Sequence, residues 1–221
     1  MEMLLFGLTL LLTLGAQGYI NHWYGKTKKI MSNSRISGER VARKILDANG
    51  LKNVAVVETS GVLSDHYDPK GKVVRLSSDI YQNTSLASVS VAAHECGHAI
   101  QDKDDYFFLR FRSSIVPIVN LASTLGYVAI MIGLFMGAFG FIRLGIIMEC
   151  IILGFQVITL PVEFNASHRA LIQLKELGIV GEEEHRYCYK MLRAAALTYV
   201  AAVATSILEI LRLVLISRRD D

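Results

Sequence analysis

Apolar residues in this chain fall into long unbroken blocks, separated by stretches with helical or alternating spacing. Residues 3–20 carry no charge, and residues 115–161 carry only Arg143 and Glu149. Crossing a hydrocarbon layer takes about 20 apolar residues. The second block therefore predicts two spanning helices, 115–139 and 144–160, joined by a tight glycine-rich turn near Gly140. A fourth apolar segment, 194–216, holds Glu209 and Arg212 at i,i+3, where the two charges can pair with each other.

Between the blocks the spacing changes. Ser37 can cap a helix running through Arg40, Val41, Ile45 and Leu46, with Asn49-Gly50 as its stop. A short β-branched run follows at 54–57, and Asp68-Pro69-Lys70-Gly71 predicts a turn into a strand at 72–77. Asn83-Thr84-Ser85 offers capping side chains, and Leu86, Val89, Ala92, Ala93 and Ile100 recur at near-helical spacing. Beyond the second block, Pro161 opens a further helix through Leu171, Leu174 and Leu177 to Gly178. The predicted fold is mainly α with a small β-sheet, an integral membrane protein with about four hydrophobic helices. It divides into an anchor (1–20), a polar region (21–114), a helical hairpin (115–161), a connecting helix (162–193) and a C-terminal hydrophobic helix and tail (194–221).

Composition agrees with a membrane protein: 52% of residues are hydrophobic and the mean hydropathy is +0.38. No Lys or Arg precedes the first segment, and Ala16-Gln17-Gly18 is a poor cleavage site, so an uncleaved anchor is expected rather than a signal peptide. The net charge of +3 says little, but its placement is informative. Every basic residue except Arg143, Arg212, Arg218 and Arg219 lies in 21–114 or 162–193. The positive-inside rule puts both regions on the cytoplasmic face of a bacterial-type plasma membrane, with the amino terminus and the turn near Arg143 outside. Arg218 and Arg219 would then also lie outside, which weakly opposes the rule and leaves partial insertion of the last helix open. Three cysteines, Cys96, Cys150 and Cys188, form no disulfide pattern and suit a reducing face. No nucleic-acid partner is expected, whereas a homo-oligomer or a membrane-protein partner stays open.

The chemistry is concentrated in His94-Glu95-Cys96-Gly97-His98. Four residues of helix turn through about 400°, so both imidazoles project from one face and can hold one Zn2+, with Glu95 beside the open position as general base. Chance yields about 0.008 such matches in a chain of this composition. Cys96, about 200° around from His94, should point away from the metal as a packed thiol. A third ligand is needed, and Glu163 stands where the chain leaves the hairpin on the side holding the two histidines. His168 is about 140° from Glu163 around the helix, so both cannot readily face one ion. His168 or Arg169 could instead polarise a substrate carbonyl; the plainer readings are a solvated histidine and a paired or lipid-facing arginine.

Other polar residues have structural readings beside functional ones. His66 and Tyr67 could line a cleft or sit in a surface loop. His22, Trp23 and Tyr24 read as an interfacial belt, His185 as part of a solvated helix start, and Glu149 as a costly intramembrane charge that needs a function or a partner. If strand 72–77 is a sheet edge, it could add an extended peptide by main-chain hydrogen bonds; otherwise it is an ordinary structural strand.

H-E-C-G-H-A-I-Q at 94–101 and P-V-E-F-N-A-S-x-R-A at 161–170, flanked by hydrophobic segments, resemble the YugP-like family of small membrane-bound neutral zinc metallopeptidases. The resemblance covers nearly the whole chain. More distantly it is similar to the HtpX-like and CAAX-type membrane proteases, whose third-ligand helix carries Asp four residues after its Glu. This chain has Ser167 there, which removes a supporting carboxylate but leaves a hydroxyl able to orient a ligand. The resemblance implies a gluzincin-type peptidase. The expected function is a membrane zinc endopeptidase acting on peptides or membrane proteins, with a non-proteolytic zinc-containing scaffold as the alternative. Metal transport ranks last, because only Glu149, Cys150 and Gln156 could line a path through the spans.

Overall fold

The computed structural model describes residues 1–61 and 64–218. In chain order the elements are α1 (Glu2–Lys28), α2 (Gly38–Ala48), β1 (Ala55–Thr59), β2 (His66–Asp68), β3 (Val73–Ser77), α3 (Ser78–Gln82), α4 (Leu86–Lys103), α5 (Phe107–Met136), α6 (Phe139–Glu176) and α7 (Glu182–Ser217). The fold is mainly helical with one small sheet, and α1, α5, α6 and α7 are long and apolar enough to cross a membrane. The chain forms two compact units. An apolar unit comprises 1–17, 111–161 and the described residues from 197 on; a polar unit comprises 18–110 and 162–196.

In the polar unit the caps follow local chemistry. The Ser37 hydroxyl accepts from the Arg40 amide at 3.4 Å, and Ser85 accepts from Ser88 at 3.1 Å, so each starts a helix by satisfying an amide that has no intrahelical partner. Helix α2 stops at Asn49 and Gly50, the latter at a φ of +71°. The sheet order is β1-β3-β2, with β1 parallel and β2 antiparallel to β3. Strand β3 is therefore central and cannot be the free edge considered for 72–77. The edges are β1 and β2, and in β2 only Tyr67 of His66, Tyr67 and Asp68 favours a strand. Strand β2 is held by its ladder to β3 and by Tyr67, whose hydroxyl donates to Asp102 of α4 at 2.7 Å. The core joins α2, β3 and α4 through Val41, Ile45, Leu76, Val89 and Ala93, and extends to Ala170 and Leu174 of α6 and Cys188 and Leu192 of α7. Cys96 is buried in it, its thiol against the Ala42 carbonyl, as a packed cysteine should be.

Helix α6 does not begin at Pro161. It runs unbroken from Phe139 to Glu176 with that proline inside. Proline removes one amide and disfavours a helix interior, but beside an apolar layer a broken helix would leave several backbone groups without water, which costs more.

The apolar unit is built on the opposite rule. Leu11, Leu121, Tyr127 and Phe135 are all exposed, as lipid-facing side chains are. The turn between α5 and α6 lies at Gly137, with a φ of +63°, and Gly140 is already helical. The two helices pack through small residues: a Cβ on Gly133 would lie 2.5 Å from Ile142 and one on Gly145 would lie 2.4 Å from Ile130. Glu209 and Arg212 do pair, at 2.8 Å, and the guanidinium lies over the Phe6 ring.

Candidate metal centre

Two elements of the polar unit build the centre. On α4, one turn separates His94 from His98, and their rings stand 4.8 Å apart between centroids. On α6, Glu163 projects toward both: its Oε2 lies 3.3 Å from His94 Nε2 and 3.7 Å from His98 Nε2. Every pair of candidate donor atoms is within 4.8 Å. Donors at zinc-like bond lengths on a tetrahedron stand about 3.3 Å apart, so the cluster is close to the spacing one zinc ion requires. The approach is permitted by Gly97, where a Cβ would fall 2.4 Å from the Ala166 carbonyl oxygen of α6. Any side chain there would push the carboxylate away from the imidazoles.

The electrostatics of the cluster favour a cation. Burial pushes the Glu163 carboxyl up, but the His94 and His98 rings beside it outweigh that and hold it well below the usual carboxylate range. For His98, burial disfavours the charged ring, yet the Glu163 contact more than compensates and raises its pKa. A buried anion facing two imidazoles is thus a place where positive charge is stabilised.

Behind each ring stands a different support. His94 Nδ1 lies 3.2 Å from the Ser167 hydroxyl. His98 Nδ1 lies 3.0 Å from Gln101 Oε1, and Gln101, itself fully buried, donates to the Val162 carbonyl at 2.8 Å and to Asn165 Oδ1 at 3.0 Å. Asn165 Oδ1 also accepts from Arg169 Nε at 2.8 Å, and Arg169 Nη1 reaches Asp104 at 2.5 Å. Sequence reasoning did not single out Gln101, Asn165 or Asp104. A polar residue three after His98 on an otherwise packed helix was the available signal, since i and i+3 share a face.

Glu95 is buried beside the two histidines in sequence, at 7% exposure. His168 is exposed, on a different face of α6 from Glu163, and lines a surface hollow with Phe164, Leu171, Tyr189 and Arg193. Arg169 spends its guanidinium on Asn165 and Asp104 rather than on the ligand cluster. His66 is exposed on β2, and His185 is half-buried near the Leu171 carbonyl. Of the expected belt, Tyr24 packs on the core and Trp23 lies under Lys26 and Lys190 at 5.3 and 5.0 Å.

The family described as "Putative neutral zinc metallopeptidase" matches residues 2–218. The chain belongs to this family. A similar relative is the "Putative membrane protease YugP" of Bacillus subtilis (strain 168), 43% identical over 212 residues that cover 95% of this chain and 94% of the relative. No solved structure matches. Membership in a zinc metallopeptidase family, together with the apolar helices, makes the chain a membrane protein of protease type, and His94, His98 and Glu163 form a cluster that could hold a metal ion.

Proposed function

We propose that the chain is an integral membrane zinc endopeptidase in which His94, His98 and Glu163 hold the ion and Glu95 is the general base. The supporting observation is the convergence of the two α4 imidazoles on the α6 carboxylate at 3.3 and 3.7 Å. In such a site zinc supplies Lewis acidity, making water a competent nucleophile near neutral pH. Glu95 takes a proton from that water as its oxygen bonds to the scissile carbonyl carbon. The same carboxyl then returns the proton to the leaving nitrogen as the C–N bond breaks. A structural zinc site has no use for this glutamate, which argues for a peptidase over a scaffold.

For the substrate, β2 replaces β3 as the strand to which an extended peptide adds, because it is an edge strand and, unlike the other edge β1, is tied to α4 by a Tyr67–Asp102 hydrogen bond. Tyr67 fixes that strand to Asp102, one turn beyond His98. Arg169, tied to Asn165 and Asp104, supports the α6 segment; His168, in its exposed hollow, is the remaining side chain of the pair for contact with substrate. The positive charge of 21–114 and 162–193 supports a centre on the cytoplasmic face.

Purified Glu95→Gln in detergent is expected to keep stoichiometric zinc while losing chelator-sensitive cleavage of casein or a quenched peptide. Glu163→Ala is expected to lose both. Undiminished cleavage by Glu95→Gln would overturn the mechanism.

A further inference from the structure

The position of one proton at the metal cluster is dictated by groups that cannot change their hydrogen-bonding sense. A guanidinium only donates, and a backbone carbonyl only accepts. Arg169 Nε donates to Asn165 Oδ1, which settles the sense of that amide and presents its oxygen to Gln101. The Val162 carbonyl independently demands a donor from Gln101. Both constraints turn the Gln101 NH2 toward α6 and its Oε1 toward His98 Nδ1 at 3.0 Å. An amide oxygen only accepts, so Nδ1 must carry hydrogen, and the lone pair of the neutral ring is left on Nε2, the atom facing Glu163.

We infer that Gln101, held in one sense by Val162 and by Asn165 with Arg169, is a positioning residue that fixes His98 as the Nδ1–H tautomer and so readies Nε2 as a metal ligand. The competing tautomer is not idle. An Nε2–H would point at the Glu163 carboxylate 3.7 Å away and would occupy the ligand position with a proton. In the neutral ring the Gln101 amide removes that alternative. His94 lacks such control, because the Ser167 hydroxyl at its Nδ1 can either donate or accept.

This inference rests on the metal-site reading, but its primary readout does not require metal. In the metal-free full chain, labelled with 15N-histidine and held at alkaline pH, nitrogen shifts report which ring atom bears hydrogen; a His98→Gln sample assigns the signal. Wild type should show Nδ1–H at His98. Gln101→Met, similar in size but without a hydrogen-bonding amide, should move it toward Nε2–H and weaken zinc binding in a chelator competition about 10- to 100-fold. Gln101→Ala, which also removes the acceptor at Nδ1, should shift the signal the same way and decides the matter if the methionine variant does not fold. Nε2–H in wild type, or an unchanged tautomer in Gln101→Met, would overturn the inference. A wild-type chain with Nδ1–H that binds no zinc would refute the metal site while leaving the proton assignment standing.

Discussion

His94 and His98 stand one turn apart on the same helix and face the same carboxylate, yet the far side of each ring is supported differently. His98 is held by a buried amide whose sense is fixed from α6. His94 is held by one hydroxyl that can rotate. Two proposed ligands that look equivalent in the pentapeptide therefore differ in their support: one ring faces an amide of fixed sense, and the other a hydroxyl that can adapt. Principles of ligand support predict such outer partners, but only the fold shows that they differ.

The largest effect should come from removing what the two rings share. Glu163→Ala leaves two imidazoles and no anion, and zinc measured by elemental analysis should fall to background together with activity. Next is the spacing that serves both rings. Gly97→Ala places a Cβ 2.4 Å from the Ala166 carbonyl, so α4 and α6 must part; thermal unfolding should register a loss of about 1–3 kcal/mol, with weaker zinc retention. Gln101→Met, with its 10- to 100-fold loss, should exceed Ser167→Ala, for which a loss of less than about tenfold in zinc affinity is expected. Equal losses in those two variants would erase the asymmetry.

Acidity gives a subtler separation. His98 is raised above the ordinary histidine value, so in the metal-free protein its contribution to stability is full below about pH 6.5 and is lost as pH rises through the folded pKa. Glu163 is lowered, so its contribution is present above about pH 4.3 and is lost only as pH falls through its depressed value. Zinc needs the neutral ring and competes with that proton. The difference in Tm between zinc-loaded and metal-free protein should therefore widen from pH 6 to pH 8.5; a constant difference would mean that no imidazole proton is displaced.

Much of the fold was legible because it is local. Ser37, Ser85 and Asn49-Gly50 mark helix ends through their own backbone chemistry, and uncharged blocks of bilayer length mark the apolar helices. What escaped depends on partners distant in sequence. His66-Tyr67-Asp68 has no strand pattern and becomes β2 because β3 and Asp102 hold it, which makes β3 central. Pro161 reads as a helix start by local rule, yet α6 continues through it. The H-E-x-x-H spacing and the exit of the hairpin were enough to nominate His94, His98 and Glu163, and the structure brings these three together. Gln101 and Asn165 stayed silent because an amide's value lies in what it faces.

The contact between Gly97 and Ala166 is backbone against backbone, with no flexible side chain to yield. Donors carried on two rods of main chain in contact cannot be respaced by rotation of a few rotamers; the crossing itself sets how far Glu163 stands from the two imidazoles. Selectivity among ions of different radius should accordingly be governed by main-chain geometry, because a larger ion would have to spread the helices to be held by all three donors.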